Sequence, residues 1–274
     1  MKPQRVTFGR MYPNAGYTAR YRREIKKLIR AMNEETRSEI LLLYSDKAND
    51  GMLRDLQSVM KKLREKWKKE FERRAKQMAE WLADKTQKRT RKDVQKQLKN
   101  MGFALTPNYT DAQKAEIAKF VEESVNLIKT IPMHYLNDVQ DIVRDAVERG
   151  GDRAAIHEAI KDKFDHPIVN RKAGESEEDA LKRAERRADL IAKAQVQKVT
   201  QDFARANAQA YGATKARWIH IPGEQPSRIT HMEMDGEEFD INVGLFDPDV
   251  GEYVKPGQLI YCMCTQEFLF PGTE

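Results

Sequence analysis

The sequence contains very little cysteine and no long apolar stretch. Its 274 residues include two cysteines, Cys262 and Cys264, whose spacing is too short for an ordinary disulfide, so a disulfide framework is excluded. No apolar run approaches the about 20 residues that a membrane span requires. Residues 1–10 also lack the apolar stretch of a signal peptide. These absences predict a chain that is made in the cytoplasm and folds by packing alone.

Charge is abundant but unevenly distributed along the chain. Charged residues make up 34% of the sequence and the formal net charge is +6. Residues 1–100 contain 28 lysines and arginines against 13 acidic residues, whereas residues 215–274 contain four against eleven. A basic N-terminal part and an acidic C-terminal part indicate different partners for the two ends of the chain.

The densest basic stretch lies between residues 61 and 99 and is a candidate nucleic-acid surface, because positive charge density alone supports sequence-independent phosphate binding. Interleaved glutamates leave a second interpretation open, in which the stretch is a solvated helix face with local ion pairs. The candidate nucleic-acid-binding residues are Lys61, Lys62, Arg64, Lys68, Lys69, Arg73 and Arg74.

Apolar spacing predicts a mainly helical N-terminal region over residues 1–165. One amphipathic helix is expected from about Thr18, and a second, long one carries an apolar stripe from Leu53 to Leu82 after a turn at residues 49–51. Such a stripe is typical of the seam of a helical hairpin or coiled coil. Further helices are predicted from about residue 111 to Pro132, from residue 136 to 147 and from residue 152 to 164.

A second region is predicted over residues 179–274, after a loop at residues 165–178. It comprises a helix over residues 179–211, ended by Gly212, and a small β-containing unit over residues 215–270. Strands are expected at residues 217–221, 259–261 and 268–270, with turns at Asp235-Gly236 and Pro256-Gly257. The predicted fold class is therefore mainly α, with a small α+β C-terminal module.

Polar residues with chemical roles are concentrated in this module, and three interpretations stay open. His231, Cys262 and Cys264, with His220 as a further candidate, are suitable zinc ligands. His231 and Asp235 are alternatively a base and its orienting acid beside a Cys262 nucleophile. In the third interpretation, which we favour, Arg228 and His231 fix a loop and the cysteines pack beneath it.

The sequence lacks a phosphate-binding glycine-rich loop, a nucleophile elbow and paired metal-binding carboxylates. We therefore expect no catalytic residue and no cofactor, with zinc as the exception left open. The alternative is a nuclease or toxin-like enzyme that uses His231, Asp235, Cys262 and Cys264, with or without zinc.

A series of short motifs follows in a characteristic order over residues 186–268. The motif residues are Arg187-Ala188, Ile191-Ala192, Gly212, Trp218, Arg228-Ile229-Thr230-His231, Asp235-Gly236, Pro256-Gly257 and Cys262-Met263-Cys264. This series resembles the phage head-morphogenesis family, the Mu F-like minor head proteins. The sequence departs from the family pattern at Tyr261 and Met263, on either side of Cys262, and at Lys193-Ala194-Gln195.

The resemblance implies a minor capsid protein of a tailed phage that acts in procapsid assembly and is located in the phage head. The implied partners are the portal protein, the major capsid or scaffold protein, and packaged DNA bound without sequence preference, but no membrane. Trp218, Arg228, His231, Asp235, Gly236, Pro256 and Gly257 are then structural motif residues. A DNA-binding coiled-coil adaptor unrelated to phage heads is the remaining alternative.

Overall fold

The structure is a computed structural model that describes residues 9–45, 52–103, 107, 111–148, 177–223 and 227–270. Several predicted features lie outside these residues: the turn at 49–51, the short helix at 152–164, and the loop at 165–178 apart from its last two residues. The described chain is mainly helical with a small C-terminal strand module, which confirms the predicted fold class. No helix among the described residues is both long enough and apolar enough to cross a membrane.

Five long helices account for most of the described chain. The first begins three residues before the predicted start, and the side chain of Asn14 caps it by accepting a hydrogen bond from the Tyr17 amide at 3.0 Å. The five helices are α1 (Ala15–Ser45), α2 (Met52–Asn100), α3 (Asp111–Ile128), α4 (Thr130–Glu148) and α5 (Glu177–Ala210).

Helix α2 buries the predicted apolar stripe from Leu56 to Leu82 and extends well beyond it. Beyond Leu82 the buried positions continue as Thr86, Thr90, Val94 and Leu98. The Thr90 hydroxyl donates to the carbonyl of Thr86 at 2.9 Å, so a threonine can occupy a buried helix position without losing a hydrogen bond. Apolar spacing alone therefore underestimated the length of this helix.

The break between α3 and α4 lies at Lys129 rather than at Pro132. Pro132 is the third residue of α4, where a missing amide hydrogen costs no helical hydrogen bond. The Thr130 hydroxyl donates to the carbonyl of Leu127 at 2.7 Å across the break. The proline thus belongs to the start of a helix and does not end the preceding one.

The described part of the C-terminal module contains five short antiparallel strands and one short helix. Strands β1 (Lys215–Ile219), β2 (Glu238–Asp240) and β5 (Thr265–Leu269) form a sheet in the order β2-β1-β5. Strands β3 (Leu245–Asp247) and β4 (Glu252–Val254) form a separate hairpin. Helix α6 (Ile229–Glu233) lies between β1 and β2 in sequence.

The strand predicted at residues 259–261 is wrong. These residues form a turn, in which Tyr261 adopts a left-handed backbone conformation with φ of 63°. A strand cannot accommodate that conformation, so the apolar Leu259 of this segment serves packing against the core rather than strand pairing. The turns at Asp235-Gly236 and Pro256-Gly257 are present as predicted.

The end of α5 follows the predicted pattern closely. Gly212 has φ of 96°, and the Ala213 amide donates to the carbonyl of Ala208 at 3.0 Å. A left-handed glycine after the last helical residue satisfies carbonyl groups that the helix leaves without partners. The chain then enters β1 directly.

The described residues group into two compact units. One draws on Met1–Ala19, Ala79–Glu123 and Ala192–Glu274, and the other on Arg20–Met78 and Ser124–Ile191. The core of the first unit contains Trp218, Phe239 and Phe268 of the sheet together with Val94 of α2 and Ala208 of α5. The division at residues 165–179 predicted from the sequence stays a prediction.

Candidate functional site

A cluster of thiol and imidazole groups lies in the core of the first unit. Nδ1 of His231 lies 3.4 Å from Sγ of Cys262 and 3.8 Å from Sγ of Cys264. All three side chains are buried, and their potential ligand atoms lie within 4.8 Å of one another. The structure thus brings together the three residues that the sequence suggested as metal ligands.

The second ring nitrogen of His231 faces a buried carboxylate. Nε2 lies 3.2 Å from Oδ2 of Asp247, and Asp247 is fully buried at the end of β3. The other carboxylate oxygen accepts a hydrogen bond from the Asp249 amide at 3.1 Å, which fixes the carboxylate. A proton on Nε2 therefore satisfies Asp247 and leaves the lone pair of Nδ1 directed at the two sulfur atoms.

A second histidine, directly after β1, approaches one of these sulfur atoms. Nδ1 of His220 lies 3.6 Å from Sγ of Cys264. The backbone amide of His220 donates to Oδ1 of Asp235 at 2.8 Å. Asp235 therefore holds the His220 backbone, whereas Asp247 is the acid that contacts His231. The His231–Asp235 pair considered from the sequence is not formed.

Three contacts hold the Cys262–Cys264 segment in place. The buried Gln197 side chain on α5 donates from Nε2 to the carbonyls of Met263 and Cys264, at 3.0 and 2.7 Å. Arg228 donates to the carbonyl of Ile260 at 3.2 Å, just before the left-handed Tyr261. Side chains from α5 and from the loop before α6 thus fix a segment that forms no strand of its own.

The remaining motif residues pack around the cluster. The fully buried Trp218 ring makes an edge contact with His231, with ring centres 5.1 Å apart, and its carbonyl accepts from the Gly236 amide at 2.9 Å. At Gly257 a Cβ atom would lie 2.9 Å from Cγ of Gln201, so only glycine allows the Pro256-Gly257 turn to approach α5 this closely. The motif residues predicted to be structural therefore surround one site.

The two thiols differ in acidity. The contact with Cys264 lowers the pKa of Cys262 to about 7, although burial acts in the opposite direction. The same contact, together with burial, raises the pKa of Cys264 to about 12. One thiol is thus easily deprotonated and the other holds its proton, as expected when one buried sulfur donates to another.

The predicted nucleic-acid residues all lie on α2 in the second unit. Lys61, Lys62, Lys68 and Lys69 are exposed, and among the described residues no ion pair is found for them. Arg64 is instead directed at Asn137 and Gln140 of α4, and Arg73 and Arg74 both contact Glu70. Four lysines of the predicted set therefore face solvent as free positive charges, whereas three arginines have partners.

Two residues of the site were missed from the sequence. Asp247 is 16 residues from its partner His231 and lies in a strand of three residues, so no periodicity connects them. Gln197 is one of several polar residues buried along α5, such as Thr200, Gln201 and Asn207. A helix that buries so many polar side chains is a signal that these side chains have specific partners.

The sequence around this site matches a known protein family. Residues 137–267 match the family model described as Phage Mu protein F like protein, which confirms the resemblance inferred from the sequence motifs. The family indicates a phage head morphogenesis protein. The matched residues include the whole Cys-His cluster and all of the motif positions around it.

The chain is also similar to an uncharacterized protein of Haemophilus influenzae, with 28% identity over 174 residues. The alignment covers 64% of this chain, but the chain spans only about a third of that relative, 32% of its length. No solved structure matches the chain.

Proposed function

We propose that this protein is a minor head component of a tailed phage that acts in head assembly at the portal. The observation that carries the proposal is the family match over residues 137–267, which contains the buried Cys-His cluster and its supporting residues. This role places the protein in the phage head and requires no catalytic step.

The burial of the cluster supports a structural role rather than the nuclease or toxin-like alternative. His231 is 2% exposed, and Cys262 and Cys264 are 4% and 2% exposed. A nucleophile and its base must reach the substrate within hydrogen-bond distance. Asp235, the predicted orienting acid, contacts the His220 backbone instead. The burial of these side chains thus supports a role in packing rather than in catalysis.

The exposed lysines of α2 support a second part of the proposal, contact with packaged DNA. Lys61, Lys62, Lys68 and Lys69 have no described acidic partner, so their charge is available to phosphate groups. Binding of this kind depends on charge density and falls steeply as salt displaces the protein from the backbone. We expect it to be independent of DNA sequence.

The C-terminal module offers a different surface, suited to another protein. It is acidic overall, and Phe246 and Tyr253 of the β3–β4 hairpin are about half exposed with their rings in edge contact at 5.5 Å. Val250 at the tip of the hairpin is also exposed. Exposed aromatic side chains beside polar groups are typical of the centre of protein interfaces. We assign the portal protein to this surface.

Co-expression with the portal protein of the same phage tests the assembly role. Size exclusion at low and high salt, followed by compositional analysis, should show a complex that survives high salt, because an apolar contact is not screened. A variant with Phe246→Ser and Tyr253→Ser should lose the complex, whereas the exposed pair Tyr12→Ser and Met133→Ser should retain it. Absence of co-elution at both salt concentrations would contradict the proposal.

DNA binding is tested separately with two charge-matched variants. The first replaces Lys61, Lys62, Lys68 and Lys69 by glutamine, and the second replaces the exposed lysines 85, 92, 96 and 99 of the same helix. We expect the first variant to reduce the slope of log affinity against log salt by up to about 4, at close to one unit per phosphate contact. Equal losses in both variants would show that the charge of α2 acts without a defined surface.

A further inference from the structure

We propose that His220, His231, Cys262 and Cys264 form a tetrahedral zinc site that holds the C-terminal module together. Thiolate and imidazole are the ligands that zinc uses in structural sites, and two of each make a complete ligand set. The proposal adds His220 to the three clustered residues and is independent of any role in the phage head. It is supported by the spacing of the atoms, by their hydrogen bonds and by their neighbours.

The spacing of the ligand atoms fits a tetrahedron. With Zn–S near 2.3 Å and Zn–N near 2.0 Å, sulfur and nitrogen ligands of one ion lie about 3.6 Å apart. Three of the four sulfur–nitrogen pairs lie at 3.4, 3.6 and 3.8 Å. The ligand atoms of His231, Cys262 and Cys264 already lie within 4.8 Å of one another, whereas His220 contacts Cys264 and completes the tetrahedron by a movement of its ring toward Cys262.

Hydrogen bonding alone does not account for this arrangement. Both sulfur atoms are directed at the single lone pair of His231 Nδ1, and Cys264 also approaches Nδ1 of His220. Two S–H groups can donate two hydrogen bonds, whereas three sulfur–nitrogen contacts are formed in addition to the contact between the two sulfur atoms. A cation bound by both thiolates and both nitrogens satisfies all four atoms together.

The surroundings orient each ligand, as expected for a metal centre. Asp247 holds the proton of His231 on Nε2, which directs a free lone pair toward the sulfur atoms. Asp235 fixes the backbone of His220, and Gln197 binds the carbonyls of Met263 and Cys264. Each proposed ligand is thus fixed by at least one direct contact, which for Cys262 is the hydrogen bond from its amide to the carbonyl of Leu259 at 3.0 Å.

Four protein ligands leave no open coordination position, so the site is structural rather than catalytic. The ion would link the end of β1, helix α6 and the segment before β5, where Cys262 lies 31 residues from His231 in sequence. The β3–β4 hairpin is joined through the contact of Asp247 with His231. A metal at this point therefore ties together a module whose strands have only three to five residues.

Metal content and cobalt substitution of the full chain provide the first test. We expect about one zinc per chain after purification, and a cobalt-loaded protein with the strong visible bands of a tetrahedral ion and a thiolate charge-transfer band. Because the chain contains only two cysteines, the charge-transfer band shows that at least one of Cys262 and Cys264 binds the metal. Substoichiometric zinc together with no such band would overturn the proposal.

Variants then test the individual ligands. His231→Ala and Cys264→Ser should abolish stoichiometric binding, whereas His134→Ala, which removes an exposed histidine of α4, should leave it unchanged. His220→Ala should weaken binding and retain the thiolate band, because both sulfurs remain. Unchanged affinity in His220→Ala would overturn the four-ligand assignment.

Asp247→Asn tests whether Asp247 orients His231. We expect a loss in zinc affinity of about 10-fold to 100-fold while the cobalt spectrum stays tetrahedral.

If the ligand variants fail to fold, a measurement on the wild-type protein decides. Removal of zinc with a chelator should lower the melting temperature, and zinc but not magnesium should restore it. A melting temperature that is insensitive to the chelator would contradict the proposal.

Discussion

Helices α2 and α5 use charged and polar residues in opposite ways. Along α2 the side chains of the lysines between residues 61 and 69 are exposed to solvent. Along α5 no residue between 192 and 210 is exposed, and Asp202 and Arg205 are buried together with several amides and hydroxyls. Helix α2 carries its charges at the protein surface, whereas α5 uses polar groups to fix the residues packed around it.

The difference follows from what surrounds each helix. An exposed ion pair gains little because water and salt screen it, so the charges of α2 are available for binding. A buried polar group loses its water and must find a protein partner, so the polar groups of α5 fix particular neighbours. The Cys-His cluster is held from the α5 side by one such group, Gln197.

The largest loss of stability is expected from removing an aromatic side chain of the core that packs beside α5. Trp218→Ala should reduce the free energy of unfolding by about 3–5 kcal/mol, because the ring is fully buried against His231 and Phe239. Urea denaturation measures the change. Ile229→Ala in the same module should alter stability by less than about 0.5 kcal/mol, since that side chain is 71% exposed. Similar losses in both variants would contradict the assigned core.

The buried ion pairs of α5 should show the next largest effect. Asp202 contacts Lys198 and Arg205, and Asp202→Asn should cost about 3 kcal/mol because it leaves two cations near an uncharged amide. Burial raises the pKa of Asp202, but Arg205 and Lys198 outweigh it and hold that pKa below its ordinary value. The stabilising contribution is therefore complete above the ordinary carboxyl pKa.

That contribution is lost as the pH falls through the lower pKa of Asp202 in the folded protein. Unfolding measured across acidic pH should show wild type and Asp202→Asn converging toward low pH, because asparagine does not titrate. A stability difference that stays constant down to the acid limit would show that the charge of Asp202 does not carry the effect.

The elements that could be predicted best from the sequence are those that depend on a single physical rule. The stripe of α2 and the Gly212 end of α5 follow from periodicity and from backbone conformation, and both are confirmed. The strand predicted at residues 259–261 is wrong because apolar residues in a turn resemble those of a strand. Strands of three residues, such as β2 and β4, carry too little pattern to be recognised.

The candidate site was only partly predictable for a related reason. His231, Cys262 and Cys264 were recognisable because their side chains have few chemical roles. Asp247 and Gln197 have many roles, and only the folded chain brings them next to the cluster. The identity of a ligand can thus be predicted from residue type, whereas the identity of the group that orients it depends on tertiary structure.

A smaller effect is expected from the amide that holds the cysteine segment. Gln197→Met removes both donors to the Met263 and Cys264 carbonyls while roughly preserving volume, and should cost about 1–3 kcal/mol. Gln209→Met is the matched control on the same helix, because its hydrogen bond to Asn242 is exposed. Denaturant midpoints of the two variants measure the difference. Equal midpoints would show that Gln197 does not fix the segment.

The smallest effect on stability should come from the exposed pairs of α2. Contacts with Arg73 hold the pKa of Glu70 below its ordinary value, with burial opposing and Arg74 contributing, but all three side chains are substantially exposed. Glu70→Gln should therefore leave the denaturant midpoint unchanged within error. It also removes a negative charge beside the free lysines, so DNA affinity at low salt should rise about twofold and the gain should vanish at high salt. A clear loss of stability with no change in DNA affinity would mean that the charges of α2 serve the fold, as those of α5 do.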